Sequence, residues 1–128
     1  MKLLLDTHAF LWMLQAPEKL STRVSHAHDD PENTLFVSVA SLWEIQIKHA
    51  LGKLELDIPL AQIVHEQLEG DRFALLDIRA SHVLELDALP RHHSDPFDRL
   101  IVAQACAEGL PLVSADRVFV QYPVEIYW

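Results

Sequence analysis

Short apolar segments alternate with amphipathic segments along the whole chain, and this alternation restricts the fold more than any other feature. The amphipathic segments carry apolar residues at helical spacing. Strands that alternate with helices or helix pairs form a mostly parallel sheet covered on both faces. The sequence therefore predicts an α/β fold of three layers, α/β/α, with a central sheet of four to five strands. The predicted strands are KLLL (2–5), TLFVSV (34–39), FALLDI (73–78), LPLVSAD (110–116) and, at an edge, VEIYW (124–128).

Capping residues and helix breakers divide the rest of the chain. Ser21 is a typical helix start, Gly52 and Gly109 are typical helix ends, and Pro59 opens a further helix. No internal repeat, low-complexity tract or linker is present, so residues 1–128 are expected to form one domain. The predicted helices cover residues 8–15, 22–30, 40–52, 60–70, 80–89 and 95–109.

Composition excludes some classes of protein. The net charge of −9 works against broad electrostatic binding of nucleic acid, which needs many Lys and Arg contacts to phosphate. The negative net charge is compatible with an enzyme that binds a few phosphates through metal ions, and with a basic protein partner. The apolar runs are far shorter than the roughly 20 residues that cross a bilayer. Together with the single Cys106, expected to be an inert core thiol, this indicates a cytoplasmic protein without membrane association.

Four acidic residues occupy the places where ligands bind in parallel sheets, outside the carboxyl ends of the strands. Asp6 and Asp116 each directly follow a predicted strand. Glu44 lies about a turn into the helix after the second strand, and Asp98 lies in the first turn of the helix before the fourth. If those strands are neighbours, the four carboxylates converge at one end of the sheet.

Helix capping explains several of these acids individually. Asp95 followed by Pro96 is a typical helix start, and Asp98 then falls where an acid can bond back to the cap. Asp6 and Asp116 can likewise cap the segments that follow them.

Glu44 has a structural alternative as well, because Lys48 lies at the i+4 position and can form a solvated helix salt bridge. Its apolar neighbours in SLWEIQI nevertheless indicate a partly buried carboxylate. Carboxylates packed together repel one another, and a divalent cation that binds oxygen ligands usually neutralises this repulsion. The acidic set therefore favours Mg²⁺ or Mn²⁺ and chemistry on phosphate.

Four stretches, in this order along the chain, resemble the PIN-domain ribonucleases and in particular the VapC-type toxins of toxin–antitoxin pairs. They are LLLDTHAFLW, VSVASLWEIQIKHALGKL, LPRHHSDPFDRLIVAQA and PLVSAD, and they cover about half of the chain. The resemblance implies a PIN-like fold and a metal-dependent endoribonuclease that leaves 5′-phosphate and 3′-hydroxyl ends. The acids that it implies as metal-binding and catalytic are Asp6, Glu44, Asp98 and Asp116.

Other residues receive supporting roles from the same resemblance. Thr7 and Ser114 look like polar groups that support the acids, and His93 would organise the loop before DPFD, while Asp95 remains the helix cap. Arg99 either neutralises a phosphate or forms a surface salt bridge. The role of Lys48 stays open between the same kinds of alternative.

The resemblance also implies partners. These are an RNA substrate, a small VapB-like antitoxin that masks the active site and binds DNA, and a second copy of the chain in a homodimer. Phe10, Trp12 and Trp43 fit either such an interface or the core, and the core is the favoured interpretation.

Three alternatives compete with the nuclease. A haloacid-dehalogenase-like phosphatase needs a second Asp two residues after the first, where this chain has His8. Zinc could bind at His26, His28, Asp29 and Asp30, or at His92 and His93 with Asp95, but both sets lack cysteine ligands, and helical geometry puts His26 and His28 on different faces. A non-catalytic interaction module, in which the acids are only caps, would show no thermal shift with Mn²⁺.

Overall fold

The computed structural model describes residues 1–92 and 94–128, and it contains a five-stranded sheet in the order β3-β2-β1-β4-β5. Every neighbouring pair is parallel, and Leu4 lies opposite Phe36 on one side and Leu112 on the other. The predicted α/β class and the edge strand at the end of the chain are confirmed. The strands are β1 Lys2–Leu5, β2 Thr34–Ser38, β3 Ala74–Leu76, β4 Leu112–Val113 and β5 Ile126–Tyr127.

In the part of the chain that the structure describes, six α-helices flank the sheet, and short 3₁₀ segments lie at Pro17–Lys19, Leu86–Ala88 and Arg117–Gln121. The predicted helix over residues 60–70 is present as far as Leu68, with α geometry at Leu60–Ile63 and π geometry at Val64–Leu68. The helices are α1 Thr7–Gln15, α2 Thr22–Asp29, α3 Val39–Ala50, α4 Leu60–Ile63, α5 Ala80–Glu85 and α6 Pro96–Glu108.

β1 has the predicted bounds, whereas the other four strands are shorter than the apolar runs that predicted them. The run 73–78 gives a strand of only three residues, because β3 lies at the edge of the sheet and pairs only where it overlaps the segment from Phe36 to Ser38 of β2. Before the hydrogen-bonded part, Phe73 is still in the core, whereas Ile78 at the other end of the run is exposed.

Two hydrophobic clusters cover the two faces of the sheet. Since side chains alternate along a strand, Leu3 and Leu5 pack into the cluster that contains Phe10 of α1. Leu4 packs on the opposite face with Ile101 of α6. This confirms the three layers predicted from the sequence. Within the described residues, no helix is long and apolar enough to span a bilayer.

Candidate active site

Asp6 lies at the carboxyl end of the central strand β1. Its backbone N–H donates to the carbonyl of Val113 at 3.0 Å, which fixes Asp6 beside the end of β4. Its carboxylate caps α1, because Oδ1 accepts a hydrogen bond from the backbone N–H of Ala9 at 2.7 Å. The side chain is buried, with 4% of the residue exposed. The capping role proposed as a structural alternative is therefore present, at the same end of the sheet as the predicted ligand site.

Ser114 connects Asp6 to the second acid at this end. The Ser114 hydroxyl is buried and accepts a hydrogen bond from the backbone N–H of Asp116 at 3.0 Å. Burial is the main reason that the pKa of Asp6 lies above its ordinary value, and hydrogen bonds from Ser114 and Ala9 and the charge of His8 oppose that rise. The negative charge of Asp116 raises the pKa of Asp6 further, so the two carboxylates repel each other.

Asp6 and Asp116 share a wall of one open pocket of about 260 Å³, completed by His8, Trp12 and Ala115. Asp116 is solvent-exposed and also caps the 3₁₀ segment that follows it, where Oδ1 accepts from the backbone N–H of Val118 at 3.0 Å. This pair thus combines one buried and one exposed carboxylate on a single pocket.

Glu44 is buried inside α3, with only 2% of the residue exposed. The hydroxyl oxygen of Thr7 lies 2.6 Å from Glu44 Oε1 and 3.0 Å from the hydroxyl oxygen of Ser41. Because a hydroxyl group carries one proton, Thr7 donates to the carboxylate and accepts from Ser41. Thr7 follows Asp6 directly, and this contact joins the start of α1 to α3.

Lys48 lies in the last turn of α3, and its ammonium group contacts Glu44 Oε2. The hydrogen bond to Glu44 is the main reason that the pKa of Lys48 lies above its ordinary value; burial opposes the rise, and the charges of Asp95 and Asp98 increase it. The predicted salt bridge therefore exists, although it is not solvated at the carboxylate end. The sequence indicated a partly buried Glu44 carboxylate, and in the structure this side chain is almost completely buried.

Asp95 and Asp98 begin α6 next to this lysine. Asp95 Oδ1 accepts hydrogen bonds from the backbone N–H groups of Phe97 at 2.9 Å and of Asp98 at 3.0 Å, which confirms Asp95 as the cap. Asp98 lies in the positively polarised first turn of α6, as predicted. The charge of Asp116 thus acts on Asp6, and the charges of Glu44, Asp95 and Asp98 act on Lys48.

A divalent ion places definite requirements on the groups that bind it. Mg²⁺ usually keeps several waters and binds through one or two carboxylates together with substrate phosphate. The pair of Asp6 and Asp116 on an open pocket fits this requirement in donor chemistry and in space. Among residues 1–92 and 94–128, no three His, Cys, Asp or Glu side chains are close enough to hold one ion. Chelation by all four acids stays a prediction.

Comparisons with known proteins agree with this architecture. The family model described as PIN domain matches residues 3–125. The chain belongs to the PIN domain family. A relative, Ribonuclease VapC22 of Mycobacterium tuberculosis, is 32% identical over 115 residues, which are 89% of this chain and 86% of that protein. The resemblance inferred from the four sequence stretches is confirmed.

Solved structures share the fold of this PIN domain over almost its whole length. VapBC2 from Rickettsia felis, bound to a promoter DNA fragment, has a TM-score of 0.71 at 19% identity and covers 99% of this chain and 98% of its own. FitAcB from Neisseria gonorrhoeae has a TM-score of 0.69 at 21% identity and covers 100% of this chain and 97% of its own. At these identities the similarity establishes the fold.

Three aromatic residues near the site of the PIN domain differ in environment. Phe10 is fully buried, as expected, and Trp12 is half-buried against the edge of Trp128. The core interpretation is wrong for Trp43, which is 57% exposed because it lies on the outer face of α3. There it packs edge-on against Phe97, with ring centroids 5.1 Å apart, and joins α3 to the start of α6.

Arg99 has a structural role that neither sequence alternative included. Its Nη1 donates to the carbonyl of Pro90 at 2.8 Å and lies 3.3 Å from the hydroxyl of Tyr122. It forms no salt bridge among the described residues. Arg99 thereby fastens the segment before α6 to the C-terminal part of the chain. His93, predicted to organise the same loop, lies outside the described residues.

The zinc alternative gains no support from the geometry of α2. His28 Nε2 lies 2.6 Å from Nη2 of Arg72, and the His28 ring stacks on Phe73. A nitrogen facing a guanidinium group is engaged as an acceptor, and the described residues contain no triad that could hold zinc.

A buried polar network behind the site was missed by the sequence analysis. The Ser38 hydroxyl contacts Gln104 Oε1, and Gln104 Nε2 donates to the carbonyl of Asp77 at 3.3 Å. The same amide nitrogen lies 3.4 Å from the fully buried His82, whose Nε2 is 2.7 Å from Glu108. Ser38 starts the helix that carries Glu44, so the network ties α3 to α6. The sequence contained one feature from which this network could have been predicted, the single glutamine inside the apolar run LIVAQACA.

Proposed function

We propose that this PIN domain is a metal-dependent endoribonuclease and the toxin of a toxin–antitoxin pair. The observation that carries the proposal is the pair of mutually repelling carboxylates, Asp6 and Asp116, on an open pocket at the carboxyl end of the sheet. Family membership and the ribonuclease name of a relative with 32% identity support the reaction class.

Asp6, Glu44, Asp98 and Asp116 are the residues that would hold Mg²⁺ or Mn²⁺. When bound, such an ion supplies Lewis acidity and lowers the pKa of a coordinated water for in-line attack on a phosphodiester. An acidic pocket in a chain of net charge −9 repels the phosphate backbone of RNA. We therefore expect cleavage to depend strictly on a divalent ion.

The protein's own groups hold the acids in place. The N–H of Ala9 fixes Asp6 Oδ1, Ser114 bonds to Asp6 and to the backbone of Asp116, and Thr7 fixes Glu44 Oε1. Since these donors are backbone groups or buried hydroxyls, the acids are oriented before substrate arrives. This is the supporting role proposed for Thr7 and Ser114.

The pocket also offers a place for a nucleotide. His8 and Trp12 form the wall beside the two carboxylates, and bases of single-stranded RNA stack on aromatic side chains. We infer that the target is a single-stranded or looped RNA, with one base on this wall and the adjacent phosphate at the acids.

The proposed partner is a small VapB-like, DNA-binding antitoxin. One solved structure of the same fold is a toxin–antitoxin complex from Klebsiella pneumoniae, and three others, VapBC2 from Rickettsia felis, FitAB, and VapBC from Salmonella typhimurium, are bound to DNA. The net charge of −9 favours a basic segment of the partner, and the exposed ring of Trp43 beside the acids offers an apolar contact. A homodimer and action in the cytoplasm belong to the same proposal.

The test uses Asp6→Asn and Asp98→Asn with a panel of structured RNAs and Mg²⁺ or Mn²⁺. Wild type is expected to cleave in an EDTA-sensitive manner, and both variants are expected to lose cleavage while keeping native circular dichroism. Asp71→Asn is a matched control, because Asp71 is exposed and precedes β3 at the opposite end of the sheet. Undiminished cleavage by either site variant would contradict the proposal.

A further inference from the structure

Lys48 carries the positive charge that faces the acids of α3 and α6. Its ammonium group contacts Glu44 Oε2, and the charges of Asp95 and Asp98 also act on it. The other carboxylate oxygen of Glu44 is bonded to Thr7. Both oxygens of this buried acid are therefore engaged by side chains of the protein itself.

A buried carboxylate requires a neutralising partner, because an uncompensated charge in the interior is strongly destabilising. The Glu44 side chain is 3% exposed, and Lys48 supplies the neutralising charge. A divalent cation bound to Glu44 would supply the same compensation from another direction. Two cations held at one carboxylate repel each other, so their binding is coupled.

The position of Lys48 allows its ammonium group to leave Glu44 when a divalent cation binds there. Its side chain is 37% exposed and extends from the last turn of α3, so the ammonium group can reach water while its methylene groups stay on the protein. Glu44, in contrast, is held by Thr7 and cannot follow the lysine outward.

We propose that Lys48 is the built-in counter-ion of the metal-free site and that a divalent cation displaces its ammonium group from Glu44. The inference rests on the proposed metal-dependent function. Lys48 would neutralise the buried charge of Glu44 when no metal is bound. Because the metal must displace Lys48, the strength of the contact between Lys48 and Glu44 would also influence the affinity for metal.

The first experiment measures Mn²⁺ affinity by titration calorimetry for wild type, Lys48→Met, Lys48→Arg and Lys53→Met. Lys53 is an exposed lysine just beyond α3, so Lys53→Met changes the net charge equally without touching Glu44. We expect Lys48→Met to bind Mn²⁺ about tenfold more tightly than Lys53→Met, since a nearby positive charge is removed. Lys48→Arg should stay close to wild type. Equal or weaker binding by Lys48→Met than by Lys53→Met overturns the inference.

The second experiment needs no variant, so it holds even if Lys48→Met fails to fold. Acetylation of individual lysines in the wild-type chain is followed by mass spectrometry with Mn²⁺ and with EDTA. Release from Glu44 should raise the acetylation rate of Lys48 in Mn²⁺ several-fold, with Lys53 as internal reference. An unchanged or slower rate while Mn²⁺ is bound refutes displacement.

The two experiments also separate this inference from the proposed function. If wild type binds no Mn²⁺, the metal-dependent function fails and the inference fails with it. If wild type binds Mn²⁺ and Lys48 behaves like Lys53 in both measurements, only the inference is overturned.

Discussion

Removal of the Thr7 hydroxyl tests whether the buried Glu44 depends on its neighbour in α1. Thr7→Val keeps the β-branched shape at the first position of α1 and deletes one hydrogen bond of 2.6 Å to a carboxylate. Hydrogen bonds to charged groups contribute about 1.5–3 kcal/mol, and Ser41 also loses an acceptor. We expect a loss of about 2 kcal/mol in the free energy of unfolding, or roughly 8 °C in Tm for a domain of this size.

The assay is urea unfolding at pH 7.5 in EDTA, so that metal does not contribute. Thr7→Ser is the matched control, because it keeps the hydroxyl and loses only a methyl group, at a cost of about 1 kcal/mol. In a double-mutant cycle, the cost of Thr7→Val should fall by at least about 1 kcal/mol in a Glu44→Gln background. Equal costs for Thr7→Val and Thr7→Ser, or no coupling to Glu44, would refute the reasoning.

Three further predictions follow from single residues. Because burial raises the pKa of Asp6 above 3.8, the folded chain takes up a proton before the unfolded chain as pH falls. Asp6→Asn should therefore stabilise the metal-free protein at neutral pH, and this advantage should shrink as pH falls through the raised pKa, as followed by urea unfolding. Gln104→Leu should cost about 3 kcal/mol, because Ser38 and the Asp77 carbonyl lose a buried partner. Gly109→Ala should cost only about 1 kcal/mol, since φ is +65° and an added Cβ meets no atom within 4 Å.

Controls distinguish these effects from general damage. Asp6→Ala removes the cap as well as the charge, so it should be about 1 kcal/mol less stable than Asp6→Asn. A neutral-pH stability for Asp6→Asn below that of wild type would contradict the burial argument. A cost under about 1 kcal/mol for Gln104→Leu would show that the network is not structural, and a cost far above 2 kcal/mol for Gly109→Ala would show a steric clash.

Local signals in the sequence were sufficient for the order of elements and for most helix ends. Asp95 before Pro96 and Gly109 after α6 behave as the capping rules require, because a cap is satisfied within three or four residues. The parallel sheet was likewise predictable, since buried strands separated by helices have few alternatives. The lengths of β3 and β4 were not, because strand ends depend on where a neighbour stops.

The candidate site, like the fold, has features that the sequence determined and features that only the tertiary structure decided. The sequence by itself determined which residues are acidic and that Asp6 and Asp116 end two strands. The apolar neighbours of Glu44 indicated partial burial. Only the tertiary structure decided that this burial is nearly complete, that Thr7 holds Glu44 from 37 residues away, that Asp6 and Asp116 line one pocket, and that Lys48 contacts Glu44. The physical reason is that caps and helical pairs are made between neighbours in the chain, whereas burial and the balance of charge around a carboxylate depend on segments that meet only when the sheet is assembled.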